Sequence, residues 1–265
     1  MLDKPPIFRY TKLMNDYDEK FAKMRAIGIH ASRCLDMLEK IIVPGMSTMA
    51  IDSMVVMYAM NHGLICAPFN YKGFPAHCCT SVNHVICHGI PTFKKILKDG
   101  DIIKVDVTFK DKDGWHGDSC RTYAVGTVSV KAERLMKVTK NALDIGIFAA
   151  RPGNTIGHIG HAIQTYIESE GFSTVREYVG HGIGQEFHTF PHVYHYYQGD
   201  KPGMSVDIVP GMIFTIEPMI NVGKPGTKTL KDGWTVVTKD KSLSAQYEHT
   251  IGITEGDPIV FTAGE

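Results

Sequence analysis

The sequence predicts an α+β domain made of two copies of one helix–helix–loop–strand–strand unit. Each half carries two stretches of helical periodicity and then an alternating strand pattern, and short segments recur in the same order in both halves. From Asp16 to Lys40 apolar residues fall at Phe21, Met24, Ile27, Ala31, Leu35 and Leu38, steps of three and four that share a helix face. Pro44-Gly45 closes that helix, and Ser47 or Thr48 caps a second one running to about His62, where Gly63 stops it. Ala67 to Pro91, rich in Pro, Gly, Asn and Tyr, reads as irregular. Asp101 to Lys110 then alternates, with Ile103, Val105, Val107 and Phe109 on one face and Lys104, Asp106 and Thr108 on the other. A turn at Asp113-Gly114 leads to a second strand through Arg121 to Val128, opened by Asp118, so the pair reads as a hairpin.

The second half repeats the order. Ala132 to Ala150 is helical, Pro152-Gly153 closes it, and Thr155 caps a helix running to Gly171. An irregular Gly/His/Pro stretch starts at Gly180. Gly211 to Glu217 mirrors Gly100 to Asp106, with the acid six residues after the glycine in both. Asp232-Gly233-Trp234 mirrors Asp113-Gly114-Trp115, and Gly180-His181-Gly182-Ile183 mirrors Cys87-His88-Gly89-Ile90. A duplicated unit of this kind places its strands in one antiparallel sheet, with helices over one face. Asp106 and Glu217 then meet near a pseudo-twofold axis. The expected organisation is an N-terminal extension over residues 1–15 and one domain over 16–265, with halves at 16–128 and 129–265.

Composition narrows the function. Lys and Arg total 28 against 28 Asp and Glu, so there is no net field for a polyanion, which excludes a dedicated binder of nucleic acid or anionic membrane. With 43% apolar and 21% charged residues the chain has ordinary globular composition. Met1 to Tyr10 lacks the apolar core of a signal peptide, and Met54 to Met60 is far too short to span a bilayer. The six cysteines form no C-x-x-C pair, and Cys78 and Cys79 are adjacent, a poor geometry for an ordinary disulfide. A reduced, cytoplasmic chain is expected.

Several acids sit where solvation is hard to arrange. Glu217 follows the apolar run Met212 to Ile216 and precedes Pro218, so it reads as part of a buried strand, and a buried carboxylate needs a partner. Glu248 precedes the strand Thr250 to Thr254, where a β-branched residue is expected. Taken singly, Asp106 reads as a solvated acid and His181 as a turn residue bonded to backbone. Taken together, carboxylates with few imidazoles suit a hard or borderline dication such as Mn, Fe or Co better than a closed structural Zn. Acids that bridge would hold two ions about 3.5–4 Å apart. Competing motifs fail: Gly180 to Gly184 is no dinucleotide loop, and there is no Walker A lysine, H-E-x-x-H or G-x-S-x-G. Cys79 or Cys87 as a nucleophile would need a base and an orienting group that the sequence does not place.

The segments Ser81 to Pro91, Lys104-Val-Asp106-Val, Gly117-Asp118-Ser, Gly180-His181-Gly-Ile-Gly184, Phe187-His188, Phe214 to Met219 and Gln246 to Thr250 resemble the type I methionine aminopeptidases, in order from about Asp16 to Val260. The resemblance implies the duplicated pita-bread fold of the creatinase/aminopeptidase class. It also implies two divalent ions per chain (Co, Mn or Fe, with Zn admitted) on Asp106, Asp118, His181, Glu217 and Glu248. A monovalent-cation site near Asn83, Val85 and Ser244 is part of the same pattern. By resemblance, a water or hydroxide bridging the two ions attacks the carbonyl of an N-terminal methionine, and Glu217 carries protons. His88 and His188 hydrogen-bond the scissile peptide and its tetrahedral intermediate. The methionine side chain enters a pocket of Tyr71, Phe74, Cys79, Phe187 and Trp234, for which plain core packing is the alternative.

The implied enzyme is a cytoplasmic monomer. It trims nascent chains with a small second residue, at the ribosome or after release, without recognising nucleic-acid sequence or membrane. His188 to Glu217 leaves no room for the helical insertion of type II enzymes, and no Cys/His-rich extension precedes Asp16, so the short bacterial form is expected. Two departures stand out: twelve positions separate Asp106 from Asp118, and Pro68 replaces a common cysteine at the pocket edge. An X-Pro-cleaving enzyme is the alternative on this fold, although those relatives usually carry a large N-terminal domain. A non-catalytic binding module is another, and it would be expected to lose ligand residues.

Overall fold

The computed structural model describes residues 17–197, 199 and 204–264; the extension over 1–15 and the start of the first helix at Asp16 lie outside them. Helix α1 (Asp18–Glu39) buries Phe21, Met24, Ile27, Ala31, Leu35 and Leu38, the stripe that the periodicity selects. Helix α2 (Thr48–Asn61) starts at Ser47, whose hydroxyl accepts the Ala50 N–H at 3.2 Å. The stretch expected to be irregular follows β1 (Ile65–Cys66) and instead holds two short strands, β2 (Cys79–Val82) and β3 (Val85–Cys87). All of β2 is buried, so it shows no alternation by which to recognise a strand.

Strands β4 (Ile102–Lys110) and β5 (His116–Ala124) form an unbroken antiparallel ladder from Ile102↔Ala124 to Lys110↔His116. The extra length between Asp106 and Asp118 is therefore taken up in the 111–115 turn. β5 begins and ends earlier than expected because a ladder lasts only as long as its partner, and β4 starts at Ile102. Helix α1 lies directly on this hairpin. A Cβ on Gly117 would sit 2.9 Å from the Gly28 Cα, so two glycines let helix and strand backbones touch.

The second half follows the same plan. Helix α3 (Val130–Ala149) is capped by Ser129, and α4 (Ile156–Ser169) by a box in which Thr155 N–H donates to His158 Nδ1 at 2.9 Å. The strands β6 (Ser173–Thr174), β7 (Gly180–Gly182), β8 (Thr189–Val193), β9 (Ile213–Ile216) and β10 (Met219–Asn221) come next. The chain finishes with β11 (Thr227–Thr229), β12 (Val236–Thr238), β13 (Ser244–Gln246), β14 (His249–Gly252) and β15 (Ile259–Val260). The isolated bridges Ser47↔Ile96 and Thr155↔Asp207 hold the start of α2 and of α4 in the same way, one in each half. Apolar faces of α1 and α2 pack on Val105, Val107 and Phe109; those of α3 and α4 pack on Phe214, Ile216 and Ile251.

All strand pairs are antiparallel, but they hydrogen-bond in four groups where one continuous sheet was expected. The largest runs β15-β14-β9-β7-β8, and another joins β3 of the first half to β12 of the second. Between β5 and the β13–β14 segment, side chains replace most of the ladder. Glu248 N–H donates to Cys120 O at 2.9 Å, and hydroxyls complete the seam: Ser119 to Glu248 O at 2.7 Å and Thr250 to Asp118 O at 2.7 Å. Thr122 Oγ1 does two jobs, donating to Gln246 O at 2.6 Å and accepting from Gln246 N–H at 3.1 Å.

Replacing Thr122 by Val keeps the volume and leaves two buried backbone groups of Gln246 unpaired. The expected cost is about 2 kcal/mol, a fall in Tm of roughly 4–8 °C for a domain of this size. Ser53→Ala, which removes an exposed hydroxyl on α2, should leave Tm unchanged. Scanning calorimetry on both variants checks this, and equal Tm values for the Thr122→Val protein and wild type would show the seam to be incidental.

Candidate metal centre

Five polar residues converge where the two halves meet. Asp106 projects from β4 and Asp118 from β5; Asp118 stands opposite Thr108, whose hydroxyl donates to Asp118 Oδ1 at 2.8 Å. The two acids are themselves close enough for a side-chain hydrogen bond. His181 lies in β7, Glu217 directly after β9, and Glu248 directly before β14. Because His249 pairs with Ile216, the β9–β14 ladder sets Glu217 and Glu248 side by side. Donor atoms of Asp118, His181 and Glu248 all lie within 4.8 Å of one another.

Burial governs the electrostatics. It pushes the Asp106 carboxyl up to about 7, and it lifts Asp118, Glu217 and Glu248 well above the usual carboxylate range, with the neighbouring acids adding to the shift. His181 is decisive. Its Nδ1 lies 3.1 Å from Gly182 O, a carbonyl that can only accept, so Nδ1 carries the proton. Burial also pulls this imidazole down to about 4, so the ring is neutral and Nε2 presents a lone pair. That lone pair faces Asp118 Oδ2 at 3.6 Å and Glu217 Oε1 at 3.8 Å. Three acceptors facing one another beyond hydrogen-bond distance are unfavourable alone, and their spacing suits donors around an ion with bonds of about 2.1 Å.

The cluster opens on a cavity of about 600 Å³. Its wall includes every residue that the sequence singled out for the site: Asp106, Asp118, His181, Glu217, Glu248, His88, His188, Tyr71, Phe74, Cys79, Phe187 and Trp234. Pro68 lines it too. His88 directly follows β3 in the left-handed region, φ +54°, and Gly89 beside it packs against the Thr80 carbonyl more closely than any Cβ allows. Burial pulls His88 down to about 4. His188 shares a 3.0 Å hydrogen bond with the Tyr71 hydroxyl, and its ring centre lies 4.0 Å from that of His181. Phe74 meets Trp234 edge to face at 5.2 Å, and the Asp232 carboxylate accepts from Trp234 N–H at 2.9 Å, fixing the tryptophan. The Cys79 and Cys87 thiols are pushed well up by burial and nearby carboxylates, the opposite of what a thiolate nucleophile needs.

Sequence reasoning missed the supporting residues. Thr215 donates to Glu217 Oε1 at 3.0 Å and accepts the His181 N–H at 3.0 Å, coupling two members of the cluster. Gln246 donates to Glu217 Oε2 at 3.3 Å, and fully buried His195 accepts the Glu217 N–H at 3.1 Å. Asp52 on α2 accepts the His77 and Cys78 N–H groups at 2.8 and 3.1 Å, pinning the segment that leads into Cys79. Lys104 is fully buried on the face that carries Asp106. Burial pulls it down to about 7, and its Nζ donates hydrogen bonds to two backbone carbonyls. Of these, only Lys104 carried a signal, its place on the polar face of the strand.

The profile of metallopeptidase family M24 matches residues 22–255. The chain belongs to the metallopeptidase family M24. Within M24 it is 51% identical to methionine aminopeptidase A of Synechocystis sp., over 92% of this chain and 94% of that protein. It is 47% identical to the methionine aminopeptidase of Escherichia coli K12, over 92% and 91% of the two chains. The crystal structure of methionine aminopeptidase from Rickettsia prowazekii superposes with a TM-score of 0.89 at 47% identity, covering 93% of this chain and 98% of that one. A prolidase from Pyrococcus furiosus shares the pita-bread fold at 20% identity and TM-score 0.72, over 93% of this chain and 64% of that one.

The raised carboxyl values fix how metal-free protein responds to pH. Their folded pKa values lie above the unfolded ones, so the stabilising neutral form is lost as pH rises through about 7. The lowered histidines do not oppose this above their unfolded value of 6.5. Lys104, pulled down to about 7 by burial, opposes this above pH 7 in both forms, so the acids show in the difference between the two: chelated protein should lose more Tm than Mn²⁺-saturated protein as pH rises through about 7. Thermal scans of both forms test it; parallel profiles with and without Mn²⁺ would mean that the acids do not interact as the geometry requires.

Proposed function

We propose that this chain is a methionine aminopeptidase of the short bacterial type I form, removing the N-terminal methionine when the second residue is small. The observation that carries the reading is the unprotonated His181 Nε2 facing the Asp118 and Glu217 oxygens, at the floor of a cavity walled by aromatic side chains. Identities of 47–51% with proteins named methionine aminopeptidase support it.

We assign Asp106, Asp118, His181, Glu217 and Glu248 as the residues that hold two divalent ions. Bound there, the ions would polarise the scissile carbonyl and supply a nucleophile at neutral pH. The oxygen-rich donor set favours Mn, Fe or Co and admits Zn. Glu217, held by the Thr215 hydroxyl and the Gln246 amide, holds the proton released in attack and returns it to the leaving amine. His88 is neutral at working pH. It and His188 reach the cavity from different loops, so their N–H groups can donate to the substrate carbonyl and to the charge that develops on it.

Tyr71, Phe74, Cys79, Phe187 and Trp234 form the methionine pocket. Aromatic faces and sulfur suit a flexible thioether, and burying that side chain contributes about 1.5–3 kcal/mol, roughly ten- to hundredfold in selectivity. We further assign the chain to the cytoplasm, as a monomer acting on nascent N-termini, at the ribosome included. All six cysteines are buried and unpaired, and among the described residues no helix is long and apolar enough to cross a membrane.

Hydrolysis of Met-Ala-Ser against Ala-Pro-Ala decides between the two peptidase chemistries of this fold. Met-Ala-Ser should be cleaved in preference, and Glu217→Gln should lose more than about a hundredfold in kcat/KM without losing Tm. Preference for Ala-Pro-Ala would overturn the substrate assignment, and an unimpaired Glu217→Gln protein would overturn the assignment of the site.

A further inference from the structure

Lys104 lies in the interior, 1% exposed, on the strand face that also carries Asp106. Among the described residues its Nζ meets backbone carbonyls instead of a carboxylate: Asn83 O at 3.0 Å and Ser244 O at 2.6 Å. The two oxygens come from opposite halves of the chain, one from the turn between β2 and β3 and the other from the start of β13. Ser244 N–H also donates to Asn83 O at 3.0 Å, so turn and strand are in direct contact.

These carbonyls cannot swing apart. Asn83 sits at φ +53°, its Oδ1 accepts the Ile102 N–H at 3.0 Å, and its Nδ2 donates to Asp101 Oδ1 at 2.7 Å. Carbonyl dipoles whose negative ends converge on one buried point repel each other unless positive charge lies between them. The buried Ser244 hydroxyl, unpartnered among the described residues, adds an oxygen from the same residue. Such a set of neutral oxygens is what a monovalent cation would take. It includes two of the three residues, Asn83 and Ser244, at which the sequence resemblance implies one.

A free ion and the ammonium cannot share that point. Nζ already stands at bonding distance from both carbonyls, and a second cation in contact with it would be repelled by a like charge. We propose that Lys104 is a tethered substitute for a bound monovalent cation: its ammonium fills the carbonyl cage across the seam, and the chain needs no Na⁺ or K⁺ from solution there. The tether also ties the cage to β4, two residues from Asp106. The inference does not rest on the aminopeptidase reading.

The test is thermal stability of the Mn²⁺-loaded full chain in KCl, NaCl or choline chloride at equal ionic strength. Wild type should melt at the same temperature in all three. Lys104→Ala opens the cage and should lose several degrees in choline, regained in a concentration-dependent way with K⁺ or methylammonium. Lys104→Met fills the space without charge and should lose stability that no cation restores. If Lys104→Ala does not fold in choline, refolding yield with each cation replaces Tm. Stabilisation of wild type by K⁺ over choline would overturn the proposal. So would a Lys104→Ala protein that responds to no cation, by Tm or by refolding yield.

Discussion

Burying carboxylates together is the constraint on which the rest of this structure depends. Asp118 and Glu248 place oxygens within 4.8 Å of the same imidazole nitrogen. At that distance, and at an effective dielectric of about 20, two ionised carboxylates repel by about 3 kcal/mol. A few such pairs approach the whole stability of an ordinary domain, about 5–15 kcal/mol. The cluster therefore persists only with its charge offset, by protons in the empty protein or by cations in the loaded one. Its surroundings are built to hold the acids in place meanwhile: Thr108, Thr215 and Gln246 each direct a donor at a carboxylate oxygen.

The duplicated fold explains why the cluster can exist at all. Each half brings its own helices to cover the outer face of its own strands, so the inner faces meet at a seam where neither ladder continues. Side chains take over there, with hydroxyls of Ser119, Thr122 and Thr250 reaching carbonyls across the divide. A seam of this kind is polar yet buried. It offers positions where Asp106 and Asp118 from one half can face His181, Glu217 and Glu248 from the other, and where one lysine can join two carbonyls. Strands and their ends hold the polar cluster, and segments outside the strands supply much of the aromatic wall, through Tyr71, Phe187 and Trp234.

Much of this was legible in the sequence, and the gaps have physical causes. The α1 stripe and the Ser47 and Thr155 caps follow from local chemistry, and the structure places them where periodicity and capping predict. Alternation along β4 separated Asp106 and Lys104 from the apolar face, but it cannot say what covers the polar face. Here that cover is the other half of the molecule, so the solvated reading of Asp106 fails. β2 escaped notice because a strand buried along its whole length has no alternation, and β3 because it is only three residues long. The count of 13 histidines suggested a site, and only His181, His88 and His188 received a role from sequence. Others act structurally: His158 completes the α4 cap, His195 accepts from Glu217, and His77 bonds Asp52 at 2.9 Å. Each of those partners is far away in sequence or needs a backbone geometry that composition does not encode.

The central claim is that these five residues hold two divalent ions in the cavity floor. Anomalous diffraction from a Mn²⁺-loaded crystal, collected either side of the manganese edge, tests it without reference to turnover. The expected map has two peaks per chain, both bonded to oxygens of the Asp106, Asp118, Glu217 and Glu248 carboxylates, with His181 Nε2 on one of them. No peak at the seam, or peaks only at surface histidines, would contradict it.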